Sequence, residues 1–209
     1  LDVAGNLTVT AGTLDLANSG GGSENNAIDL EGNFLMNGGV FTAGISNSHN
    51  VAGDWNDVNG TFQAGASGDG TITLSGAGSD IYTAASNNFF NLTINSAGAE
   101  TAQTALDIDG DLTVTLGTLD MAANSADVAG ITDIDGTLSL TTGTFTANGL
   151  TDVDGTLSIE GTGTFTANGE FDANLGNVTF TAGQAGNLTL KGAVTSLGTF
   201  TSNSAGTVT

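Results

Sequence analysis

Gly130-Ile-Thr-Asp-Ile-Asp-Gly-Thr-Leu-Ser-Leu-Thr-Thr-Gly-Thr-Phe-Thr-Ala-Asn148 runs straight into Gly149-Leu-Thr-Asp-Val-Asp-Gly-Thr-Leu-Ser-Ile-Glu-Gly-Thr-Gly-Thr-Phe-Thr-Ala-Asn168, the same phrase with one residue inserted. Within each copy apolar residues alternate with Thr, Ser or Asp, as in Leu138-Ser139-Leu140 and Leu157-Ser158-Ile159. That is the two-residue period of a strand with one buried face. Gly and Asn stand between the strands, where the chain has to turn. A unit this short cannot enclose a core by itself, so copies at about 20-residue spacing must stack and bury their apolar edges against one another.

The pattern extends both ways from this pair. Seven short phrases share a Gly followed two residues later by a bulky apolar side chain: Gly12-Thr13-Leu14, Gly39-Val40-Phe41, Gly60-Thr61-Phe62, Gly117-Thr118-Leu119, Gly143-Thr144-Phe145, Gly163-Thr164-Phe165 and Gly198-Thr199-Phe200. Alternating triplets such as Leu7-Thr8-Val9, Ile72-Thr73-Leu74, Leu92-Thr93-Ile94, Leu112-Thr113-Val114, Val178-Thr179-Phe180 and Leu188-Thr189-Leu190 supply further strands. A longer period overlies them, since the phrase from Leu1 to Ala17 recurs from Leu106 to Ala122. The expected fold is all-β: one continuous parallel β-helix (β-solenoid) over residues 1–209, with short strands, ~20-residue coils and right-handed coiling by the crossover rule. Loops are expected near 18–26 and 96–104. The chain opens and closes inside the pattern, so both ends are expected to be uncapped.

Composition narrows the function. Twenty-two acidic residues face one Lys and one His, a formal charge of −21. Phosphate binding needs Lys and Arg, so nucleic acid is excluded as a partner, and so is an anionic membrane surface. With no Cys there is no disulfide, thiolate metal site or thiol nucleophile. No apolar run is long enough for a membrane-spanning helix.

Acidic pairs form the sharpest local pattern: Asp107 and Asp109 align with Asp133 and Asp135, with Asp152 and Asp154, and with Asp29 and Glu31. In-register stacking would set like charges about 5 Å apart, giving either a solvated acidic stripe or a row of hard oxygen ligands for Ca²⁺. Phe41, Phe62, Phe145, Phe165 and Phe200 share a phrase position and are expected to form one buried aromatic ladder. Trp55 and Tyr82 break the pattern; the expected role of each is ordinary packing or filling a coil edge, with a contact surface as the alternative. Thr recurs outward on many strands; flat Thr arrays occur in ice-binding solenoids, but Ser, Asp and Asn interrupt this one. His49, in the polar stretch from Ser46 to Asn50, has no Cys or serine elbow to serve, and Lys191 reads as a surface charge. No enzyme is expected.

The passage from Gly70 to Asn95, including Asn88-Phe-Phe-Asn-Leu-Thr-Ile94, followed by the Gly-x-Leu-Thr-Val coil that ends in Gly117-Thr-Leu-Asp120, resembles repeats of large bacterial cell-surface adhesins and filamentous-haemagglutinin-like proteins. The resemblance implies an extracellular or cell-surface β-solenoid with a structural or adhesive role and brings no catalytic residues. The expected function is a fibre, matrix or stalk built by end-to-end addition of this chain to itself or to further repeats. The alternatives are an adhesin segment that grips surface glycans and, below it, an ice-binding solenoid.

Overall fold

Alternation over three or four residues yields short strands, and glycine corners turn the chain after each one. The computed structural model describes residues 1–16, 27–44, 48–64, 70–181, 185–202 and 205–209. The loop expected at 18–26 lies outside them. The strands pair exclusively in parallel, each with the strand one coil away, and form the expected β-solenoid. Partners are separated by 19 residues where coils are tightest, as between Thr137 and Thr156, and by 27 where they are widest, as between Asp2 and Asp29. No helix occurs among the described residues.

Three faces result. The first runs through Asp2–Val3, Asp29–Leu30, Ser48–Val51 and Thr71–Leu74, then the leading halves of Asn91–Ala102 and Leu112–Asp120. It continues through Thr132–Ile134, Thr151–Val153, Phe171–Asp172 and Val194–Ser196. The second runs through Leu7–Val9, Phe34–Met36, Trp55–Asn56 and Asp80–Tyr82, then the trailing halves of the same two long strands. It ends with Thr137–Leu140, Thr156–Ile159, Asn177–Phe180 and Thr199–Ser202. The third begins with Thr13–Asp15, Val40–Thr42 and Thr61–Gln63. It resumes with Leu106–Ile108, Ala126–Val128, Thr144–Ala147, Thr164–Ala167, Asn187–Leu190 and Thr207–Val208. Between these two sets Phe89 packs under Phe62 at 5.9 Å and bridges to Ile108.

Inward residues of the three faces form one thin core along the axis. Leu119, Leu138, Leu157 and Val178 stack in register on the second face, all fully buried. At the corners the coils approach so closely that side chains are excluded. A Cβ on Gly149 would lie 2.3 Å from the Gly130 carbonyl oxygen, and one on Gly155 would lie 2.0 Å from that of Gly136. Backbone hydrogen bonds cross these corners, from Gly149 N to Gly130 O at 3.1 Å and from Thr156 N to Gly136 O at 2.8 Å. Repeating glycine is therefore a requirement of rung-on-rung contact.

Two expectations are corrected. Residues 96–102 are not a loop: they belong to the strand Asn91–Ala102, which bulges around Asn95–Ala99 where it turns from the first face to the second. Its inward positions are Ser96, Glu100 and Ala102, so the buried alternation is present but is not written in Leu, Ile or Val. The aromatic residues do not form one ladder. Phe41 stacks on Phe62 (5.5 Å) and Phe145 on Phe165 (5.2 Å), two separate stacks on the third face, whereas Phe200 lies on the second face and is 38% exposed.

Candidate functional site

The acidic pairs do not share one line either. Asp133 and Asp152 are in register with each other and with Asp172 on the first face, with Asp135 and Asp154 at the adjoining corner. Asp107 pairs with Asp127 on the third face, and Asp29 with Asp2 at the start of the first. Asp109 accepts from Asn88 Nδ2, and Asp29 Oδ1 accepts from Asn50 Nδ2 at 2.9 Å; Glu31 follows as an exposed corner residue. Among the described residues no three carboxylates or imidazoles converge as metal ligands. The acids thus form separate short strips in place of one row. Partial loss of water, followed by the neighbouring Asp135 and Asp152 charges, raises the pKa of Asp133; Asp152 and Asp107 are raised in the same way, by burial first and like charges second.

Threonines are likewise shared among faces. Thr144 and Thr146 meet Thr164 and Thr166 on the third face, while Thr73, Thr93 and Thr113 line the first. No single flat array collects them.

Trp55 and Tyr82 part company. Trp55 alternates inward, stacks on Phe34 at 4.4 Å and is 1% exposed, so it is core and not contact surface. Its Nε1 donates to Asp57 Oδ2 at 3.1 Å. Asp57 is itself buried and also accepts from Ala84 N at 2.9 Å; burial raises its pKa despite these bonds.

Tyr82 points outward and borders a groove. Thr8, Leu35, Asn56 and Tyr82 occupy the outward side of the second face on consecutive rungs, in register. Beside them, at the corner with the first face, a hydrogen-bonded ladder fixes the groove wall. Asn33 N donates to Asn6 Oδ1 (2.9 Å), Asp54 N to Asn33 Oδ1 (3.0 Å) and Asp80 N to Asp54 Oδ1 (2.9 Å). Asn33 Nδ2 adds a bond to Asp54 Oδ2 (2.9 Å), and Gln103 Nε2 donates to Asp80 Oδ1 (2.9 Å). Row and ladder enclose about 230 Å³ over a floor that includes Phe34. The Tyr82 hydroxyl donates to Asp80 Oδ2 at 3.4 Å. Its pKa is raised by partial loss of water and then by the Asp80 charge.

Besides Asp57, two further buried ionisable groups were not recognisable as buried from the sequence. His49 alternates inward on Ser48–Val51, in register with Ile72, and sits edge-on to Phe41 at 5.9 Å. Its Nδ1 accepts from Ile28 N at 3.1 Å, and burial lowers its pKa to about 4. Glu100 is fully buried beside Ser79 and Ser96, and burial raises its pKa against the pull of those two hydroxyls. Lys191 is exposed, as expected of a surface charge. No protein-family model, curated protein or solved structure matches this chain.

Proposed function

We propose that this chain is a non-enzymatic structural protein of the cell surface or extracellular space, and that it lengthens a fibre, matrix or stalk by adding coil upon coil at its ends. The observation behind this reading is the stacking itself: strands pair in parallel from rung to rung around one thin apolar core, so each rung is a template for another of the same kind. A further rung comes from a second copy or from a further stretch of the same polypeptide. Such addition is heterologous and does not close, so it gives length instead of a compact oligomer.

Three features support the setting. The outward acids surround the rod with like charge, which keeps it soluble and suits saline surroundings. A single Lys with no Arg leaves almost nothing for trypsin-like proteases. The resemblance to bacterial surface repeats points the same way. A non-catalytic role is supported by the sole imidazole, which is neutral, buried and engaged through Nδ1. Sedimentation velocity across a concentration series tests the proposal. Growth with concentration that Phe200→Asp abolishes is the expected result; one sharp species at every concentration overturns it.

A further inference from the structure

We propose that the groove beside Tyr82 binds a neutral oligosaccharide. The site lies on the lateral surface and runs from the first rung through the next three, and its ligand-binding readout is separate from the sedimentation test of end-to-end assembly. Its shape is that of a short open trough crossing consecutive rungs, ~15 Å at the ~4.8 Å rung spacing, room for about three pyranose rings. Its volume is about 230 Å³.

The chemistry selects the ligand class. Tyr82 offers a half-buried ring, suited to the apolar CH face of a pyranose, with a polar tip at one edge. Sugar hydroxyls both donate and accept, and the wall supplies both functions. Asn56 lines the trough, and its Oδ1 accepts from Val58 N at 3.3 Å, which leaves its Nδ2 to serve as a donor. Asp54 also lines the trough, and its two oxygens, held by Asp80 N and Asn33 Nδ2, each keep further acceptor capacity. Those bonds hold the wall in place before any ligand arrives, which lowers the ordering cost of binding. Asp54 and Asp80 make the trough negative, so carboxylated or sulfated glycans are repelled. An extended peptide is disfavoured for a different reason: Phe34–Met36 and Trp55–Asn56 already pair on both sides, leaving no strand edge to augment. Farther along the same face the column of the Asp80 wall position continues as Thr101, Asp120, Ser139, Ser158, Thr179 and Thr201, with neither ring nor amide. The aromatic and amide side chains are concentrated where the trough is.

Tyr82 is the only tyrosine, so 3-fluorotyrosine labelling places one ¹⁹F probe in the groove. The labelled chain is titrated with chitohexaose, cellohexaose and mannohexaose up to about 10 mM, and with oligogalacturonate as the anionic control. The expected result is a saturable shift with at least one neutral hexasaccharide at a Kd on the order of 1 mM or below, and none with oligogalacturonate. Asn56→Asp keeps the shape and the bond to Val58 N but removes the donor; it should weaken binding about tenfold, the loss of one good hydrogen bond, with an unchanged melting temperature. The proposal is overturned if no neutral hexasaccharide shifts the signal, if oligogalacturonate shifts it equally, or if Asn56→Asp binds as tightly as the parent.

Discussion

Replacing Gly149 by Ala tests whether rung contact at the corners, and not turn flexibility, is what demands glycine. The new methyl would sit 2.3 Å from the Gly130 carbonyl oxygen and 2.7 Å from its carbon, both backbone atoms. Relief needs a separation of about 1 Å between rungs that the Gly149 N to Gly130 O bond holds together. Overpacking of this kind costs about 1–3 kcal/mol, and loss of the bond adds about 1 kcal/mol. Alanine's lower unfolded-state entropy offsets about 0.4–1 kcal/mol of that. The net expectation is destabilisation of about 1–3.5 kcal/mol, or a drop in melting temperature of about 2–14 °C for a chain of this size. Differential scanning calorimetry reads it, with Gly5→Ala as the control: that glycine has nothing within 4 Å of its built Cβ and no positive φ. Its variant should stay within about 1 kcal/mol of the parent. If Gly149→Ala melts with the parent, the close-approach account of the glycine spacing is wrong.

Phe165→Ala removes a ring stacked 5.2 Å from Phe145 and edge-on to Phe171, and should cost about 3–5 kcal/mol by chemical denaturation. The folded pKa of His49, about 4, lies below its usual 6.5, so stability is intact above pH 6.5 and falls as pH drops toward 4, by about 3 kcal/mol. His49→Leu should flatten the dependence of melting temperature on pH across that window; an unchanged slope would show that His49 is not its source. Asp152→Asn relieves like-charge contact with Asp133 and Asp172, and should stabilise the rod by about 1 kcal/mol at low salt and by almost nothing in 1 M NaCl. Since no three acids converge among the described residues, Ca²⁺ should raise the melting temperature no more than Mg²⁺ at equal ionic strength; a selective rise would point to a true site.

The fold was legible because strand alternation and the ~20-residue spacing are both local features. The register was not, and the reason lies in one phrase. Leu106-Asp-Ile-Asp-Gly leads from the third face into the first, whereas Ile131-Thr-Asp-Ile-Asp-Gly leads from the first into the second. Both are a strand, a tight corner and another strand, so one wording serves two corners of a three-sided coil. Aligning the words placed Asp107 with Asp133, while the structure pairs Asp107 with Asp127. The same ambiguity sent Phe200 to the second face and Phe145 to the third. The groove was half legible. Tyr82 stood out as a break in the Thr and Ser pattern, but its neighbours Thr8, Leu35 and Asn56 come from separate coils and meet only through register. Trp55 packs in the core, the ordinary role expected of it, whereas His49 and Glu100 were missed because polarity masked their inward place in the alternation.

Negative-stain electron microscopy of the purified chain, with and without EDTA, bears most directly on end-to-end stacking. Long unbranched fibres one coil wide, unchanged by EDTA and lost in Phe200→Asp, are the predicted outcome. Isolated short rods at every concentration would contradict it.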